Sequence, residues 1–227
     1  MKCALTVAGS DSGGGAGIQA DLKTFIDAVA QDIGVDAAKT GMLASRSIAH
    51  AVAAALKRNT IPNLVVDPVM VSKTGARLLE EDAIATLKSE ILPLAEFVTP
   101  NLPEAEVLSG RKISDAETMR DAARRILDLG PARVVIKGGH SDGPNVVDLY
   151  YDGKNFEELK AERVQTRSTH GTGCTFSAAI AAYLAHGLPP LDAVARAKEF
   201  LTAALQASPG IGKGIGPVNH FHAFHKA

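Results

Sequence analysis

Arg133-Val134-Val135-Ile136-Lys137-Gly138-Gly139 decides the fold. Three β-branched residues in succession leave no polar position for a solvent-facing side, so the run reads as a strand buried on both faces. Leu64-Val65-Val66-Asp67 has the same character and likewise ends on a charged residue. Further strands are expected at Cys3–Ala8, Val35–Lys39, Phe97–Thr99 and Val146–Tyr150. The last is expected to turn at Asp152-Gly153 into a hairpin with Asn155–Leu159. Apolar residues three and four apart mark helices at Ile48–Leu56, Asp82–Leu92, Ala116–Leu129, Thr175–Leu184 and Leu191–Leu205. This alternation specifies a mostly parallel central sheet with helices on both faces, a three-layer α/β/α arrangement. No internal repeat, low-complexity tract or linker divides the chain, so residues 1–227 are read as one domain.

A chain of 227 residues buries roughly 70% of its unfolded surface and needs no disulfide or metal staple. Hydrophobic residues make up 46% and charged residues 22%, a globular composition that excludes disorder. Lys and Arg total 24 against 25 Asp and Glu, so no basic field exists to hold a nucleic-acid backbone. Cys3 and Cys174 are the two cysteines, far apart in sequence, which fits a reducing compartment. The apolar run after Met1-Lys2 is too short for a secretory signal, and no uncharged run reaches the 18 or so residues of a membrane helix. A cytoplasmic protein with no membrane partner is expected.

Ligands of a parallel sheet bind beyond the carboxyl ends of its strands. The residues just past each expected strand therefore carry the functional signal. Gly9-Ser10-Asp11-Ser12-Gly13-Gly14-Gly15-Ala16-Gly17 comes after the first, and Thr40-Gly41-Met42 after the second. Asp67-Pro68-Val69, Pro100-Asn101-Leu102-Pro103-Glu104 and Lys137-Gly138-Gly139-His140 come after the next three. His170-Gly171-Thr172-Gly173-Cys174 then opens a helix. Glycines, carboxylates, a lysine and a thiol thus gather on one edge, as an active site requires.

Each of these motifs has a plainer reading. The glycines at 9–17 serve a tight strand-to-helix turn or an anion cradle of backbone N–H groups; five glycines exceed one turn's needs, and the loop is neither a Walker A nor a G-x-G-x-x-G motif. Gly171-Thr172-Gly173 puts free N–H groups and a helix dipole where negative charge develops on a phosphoryl group. Cys174, alone, would read as a small buried residue; in the first turn beside two glycines it sits where a helix field favours a thiolate. Asp67 and Glu104 suit a hard cation such as Mg²⁺ held through water and phosphates, while Asn101 to Glu104 also outlines a capping box. Lys137 reads equally as a phosphate contact or as a lysine reaching outward from a strand end. His220, His222 and His225 have no cysteine or acidic partner and are expected in a solvated tail.

Together these residues resemble a known family. Gly9–Thr24 (GSDSGGGAGIQADLKT), Lys39–Leu43 (KTGML), Val65–Met70 (VVDPVM), Val98–Leu108 (VTPNLPEAEVL), Val134–His140 (VVIKGGH), His170–Ile180 (HGTGCTFSAAI) and Gly216–His222 (GPVNHFH) are similar, in order, to the hydroxymethylpyrimidine/phosphomethylpyrimidine kinases of thiamine biosynthesis. These form a branch of the ribokinase-like superfamily. The resemblance implies a ribokinase-like fold, a homodimer, and Mg²⁺-dependent transfer from ATP to 4-amino-5-hydroxymethyl-2-methylpyrimidine and then to its monophosphate. It implies a catalytic role for Cys174 as base, with Lys137, Gly171 and Gly173. Gly9, Asp11, Met42 and Val69 would bind the pyrimidine, Asn101, Lys137, Thr172 and Gly173 the ATP, and Asp67 and Glu104 the metal.

One departure stands out. Between Ala20–Phe25 and Val35–Leu43 the family carries a further strand and a β-flap with a pyrimidine-binding glutamine, whereas here Phe25 runs directly into Ile26–Gln31. The expectation is that a flap segment belongs at this point of the working protein. The same residues also admit a pyridoxal or pyridoxine kinase with the same chemistry, a non-catalytic nucleotide-binding module, and a cysteine hydrolase built on Cys174 and His170. The last leaves Asn101, Glu104 and Lys137 without a role.

Overall fold

The computed structural model describes residues 2–7, 26, 27, 29–70, 79–139, 143–210 and 213–224. Its strands are β1 (Ala4–Val7), β2 (Ala37–Thr40), β3 (Leu64–Val66), β4 (Phe97–Val98), β5 (Arg133–Ile136), β6 (Asn145–Tyr151) and β7 (Phe156–Glu162). They lie in one sheet in chain order. β1 to β5 are parallel, with Thr6 opposite Lys39, Lys39 opposite Val65, Val66 opposite Val98 and Val98 opposite Val134. β6 and β7 add an antiparallel hairpin that pairs Ile136 with Leu149 and Tyr151 with Phe156. The expected turn is there, with Gly153 at a φ of 90° that favours glycine.

The helices are α1 (Arg46–Asn59), α2 (Glu81–Thr86), α3 (Leu102–Ser109), α4 (Ala116–Leu127), α5 (Thr172–Ala185) and α6 (Pro190–Gln206). Ile26, Asp27 and residues 29–32 are also helical, and Gly34 leads from them into β2. Asp82–Leu92 is helical as expected but not regular: α2 passes into a π turn at Leu87–Ile91 and a 3-10 turn at Leu92–Leu94. Pro93, which has no N–H to donate, lies in that last turn.

Strand order equal to chain order has a direct consequence. Right-handed crossovers between successive parallel strands all turn to the same side. The connecting helices therefore share one face, where Ile26, Val52, Leu56, Leu87, Leu108 and Ile126 pack on Ala38, Val66, Val98 and Val134. The alternate strand residues Ala37, Val65, Phe97 and Val135 face the other way and are covered by α5 and α6 through Phe176, Ile180, Leu184, Val194 and Ala197. Three layers result, as expected, and among the described residues the second helix layer comes from the end of the chain.

The segment 213–224 closes over α5. His170 bridges to Pro217, and Asn219 N donates to Ala204 O at 3.0 Å. His220 Nε2 lies 2.9 Å from Thr175 Oγ1, and the His222 ring packs on Phe200 at 4.7 Å between centroids. Both are thus tied to the fold and not to a free tail, although His220 itself stays exposed as expected; His225 lies outside the described residues. These contacts were not legible beforehand because the partners, Thr175 and Phe200, sit on helices earlier in the sequence.

Candidate active site

Three strand ends and one helix start build the site. Asp67 follows β3 and Lys137 follows β5, with only the two-residue β4 between them. Lys137 Nζ donates to Asp67 Oδ1 at 2.9 Å across the short strand, with side chains 15% and 2% exposed. Burial works against the Lys137 charge, but Asp67 and Glu104 nearby outweigh it and hold the ammonium above the ordinary lysine range. Lys137 is therefore a fixed positive charge at the carboxyl edge.

The first turn of α5 descends onto this ion pair. A Cβ at Gly173 would stand 3.2 Å from Lys137 Nζ and 3.7 Å from Asp67 Oδ2, so the bare glycine lets the helix backbone approach the charges. One turn on, Ser177 Oγ lies 3.3 Å from Asp67 Oδ2 and 3.1 Å from Gly173 O. Gly171 is the N-cap at a φ of 80°, and no side chain caps the helix. The N–H groups at Thr172, Gly173 and Cys174 therefore have no intrahelical acceptor and no capping oxygen. Such a start, backed by Lys137, can receive an anion. Cys174 is exposed at this start, and a charge on its sulfur would reinforce that of Lys137.

Glu104 does what its spacing implied. Asn101 Oδ1 accepts from Glu104 N and Glu104 Oε2 accepts from Asn101 N, both at 2.9 Å, a full capping box on α3. Its Oε1 also accepts from Met70 N at 3.3 Å, tying the segment after β3 to α3. Glu104 is 3% exposed, and this burial pushes its carboxyl above the usual range despite Lys137. Asn101 additionally bridges to Lys137, whose N–H donates to Pro100 O at 2.8 Å.

Met42 and Val69 are half-buried at the ends of β2 and β3, on the same edge. Gly9 and Asp11 lie outside the described residues, as do the rest of the first glycine loop and His140. Lys39 escaped the sequence reading. It is 3% exposed and makes no hydrogen bond or ion pair among the described residues; a lysine closing an apolar strand was the available signal. Ser177 was missed because a serine in an Ala-rich helix looks ordinary. No hydrogen bond joins His170 to Cys174 among the described residues, which leaves the hydrolase pairing without support.

Among the described residues no group of three or more His, Cys, Asp or Glu side chains gathers. Asp67 and Glu104 are close enough to interact, and each of their oxygens already accepts one hydrogen bond. Two oxygen-donor carboxylates with lone pairs to spare fit Mg²⁺ bound mostly by water and phosphate, not an all-protein cage.

The match to the family model described as phosphomethylpyrimidine kinase spans residues 25–219. A hydroxymethylpyrimidine/phosphomethylpyrimidine kinase of Rhizobium meliloti is 45% identical, with 98% of each chain covered. The thiamine biosynthesis bifunctional protein ThiED of Geobacter sulfurreducens is 47% identical over 96% of this chain, which spans about half (52%) of that longer protein. Among solved structures, an ADP complex of Bacillus subtilis pyridoxal kinase superposes with a TM-score of 0.86 at 39% identity, covering 99% of both chains. The two sequence alignments run over 262 and 255 positions against 227 residues here, so those relatives carry insertions that this chain lacks.

Proposed function

The chain belongs to the phosphomethylpyrimidine kinase family, and we propose that it transfers the γ-phosphoryl group of ATP to the hydroxymethyl oxygen of a hydroxymethylpyrimidine and then a second phosphoryl group to the monophosphate. The observation that carries this is the Asp67–Lys137 pair lying beneath the uncapped start of α5. Phosphoryl transfer asks for positioning and charge stabilisation above all. In the first transfer Cys174 Sγ, as thiolate, accepts the hydroxyl proton while the oxygen bonds to phosphorus and the bond to the ADP oxygen breaks. Lys137 and the N–H groups of residues 172–174 take up the charge of the transferring group. Asp67 keeps Lys137 in place, and Thr172, Gly173 and Asn101 line the phosphate side of ATP. Met42 and Val69, with Gly9 and Asp11, bind the ring. Asp67 and Glu104, with water and phosphates, would hold Mg²⁺, which would supply further neutralisation of phosphate charge.

Mg-ATP turnover on hydroxymethylpyrimidine, its monophosphate and pyridoxal, in parallel and at equal enzyme concentration, tests the assignment. Use of the first two with weak pyridoxal turnover is expected. Preference for pyridoxal, the reading favoured by the close superposition on a pyridoxal kinase, would reassign the acceptor ring and keep the chemistry. No turnover on any of them would leave only a nucleotide-binding module. The homodimer is a further proposal resting on the resemblance, tested by light scattering on the purified protein, and the cytoplasmic location is one resting on the cysteine usage.

A further inference from the structure

Behind Lys137 lies an ion pair that the reaction does not touch. Lys198, on α6, donates from Nζ to Asp148 Oδ2 at 2.7 Å and to Val146 O at 3.2 Å. Both side chains are 9% exposed. Asp148 Oδ1 accepts from Gly138 N at 2.8 Å. Replacing a buried ion pair by apolar residues is often neutral or stabilising, so stability alone is a weak reason to keep one here.

Its location supplies another reason. The register between β5 and β6 ends at Ile136 opposite Leu149, and the next residues on the two strands are Lys137 and Asp148. There the Asp148 side chain takes the N–H of the residue after Lys137, while the N–H of Lys137 itself goes to Pro100 O on the other side. The backbone on either side of the Lys137 side chain is thus gripped from both neighbouring strands. Gly138 allows the close crossing, because a Cβ there would collide with the Val147 carbonyl oxygen. Lys198 fixes the Asp148 carboxylate and ties it to α6, in the same layer as α5.

We propose that Asp148 and Lys198 are a positioning pair for phosphoryl transfer, which sets the height of Lys137 against Asp67 and the start of α5 through the Gly138 N–H. This rests on the kinase assignment above. The test compares two double variants with the wild-type chain by kcat, KM for ATP and melting temperature. Asp148→Leu/Lys198→Met removes the acceptor and leaves no lone buried charge. It is expected to melt cooperatively and keep its KM for ATP within about threefold, yet lose about tenfold or more in kcat, as slight misplacement of a reacting group does. Asp148→Asn/Lys198→Met, whose amide oxygen still accepts from Gly138, is expected to recover most of that turnover. If the leucine variant does not melt cooperatively, Asp148→Ala/Lys198→Met takes its place. Wild-type kcat in the variant lacking the acceptor, or an asparagine variant as slow as it, overturns the proposal. Absence of turnover in the wild-type chain would instead overturn the kinase assignment.

Discussion

Cys174 and Lys137 divide the labour at the site, and their replacement separates the two roles. Cys174→Ala is expected to lower turnover by about 10²-fold or more, the range of a general base, while ATP still binds; steady-state kinetics and calorimetry check both halves. Lys137→Met removes the cation and strands Asp67, at 2% exposure, as a lone buried charge. A stability loss of about 3 kcal/mol is expected with the loss of turnover. Adding Asp67→Asn should restore the melting temperature but not kcat. Glu104 gives a pH signature. Burial raises its carboxyl in the fold above the ordinary value of 4.5, so its contribution to stability is present in full below that value and is lost as pH rises through the raised one. Melting of Glu104→Gln against wild type should therefore shift in favour of the glutamine variant as pH climbs from below 4.5. An unchanged difference across that window would contradict the raised carboxyl.

At the scale of elements, the two glycines at the start of α5 serve different needs. Gly171 has a φ of 80° with open space around its Cβ position, whereas Gly173 has a charged side chain against it. Gly171→Ala should cost about 1–2 kcal/mol of stability, from left-handed strain. Gly173→Ala should melt near the wild-type temperature but turn over more slowly, because the flexible Lys137 tip moves aside. Thermal melts beside kinetics of the two variants check this contrast. The strands were readable because a short, unbroken β-branched run suits a strand buried on both faces and little else, and each expected strand lies within a few residues of an observed one. α3 was less readable: its eight residues carry too little periodicity, and only the capping box of Asn101 and Glu104 announced it. The site was legible as a set of strand ends but not as contacts. Asp67 and Lys137 are 70 positions apart, and nothing local tells a lysine at a strand end which carboxylate it meets. Asp148, Lys198, Lys39 and Ser177 stayed hidden because a polar residue inside an element looks solvent-facing until its neighbours are placed.

On the scale of the whole molecule, the flap segment expected between Phe25 and Val35 predicts an intact mass for active enzyme above the 23.6 kDa of the present sequence. A mass equal to it would show that turnover proceeds on a chain in which the helical Ile26, Asp27 and residues 29–32 lead into β2. The single-sided winding of the sheet has another consequence, one concerning synthesis. A chain leaving the ribosome makes β1 to β5 with the crossover helices that clothe one face. Among the described residues, Ala37, Val65, Phe97 and Val135 on the other face are covered by helices only once α5 and α6 emerge. The same late helices bring Gly171, Gly173 and Cys174 to Lys137. The nascent protein is therefore adhesive and catalytically blank for most of its translation, a natural client for chaperones that hold exposed apolar sheet.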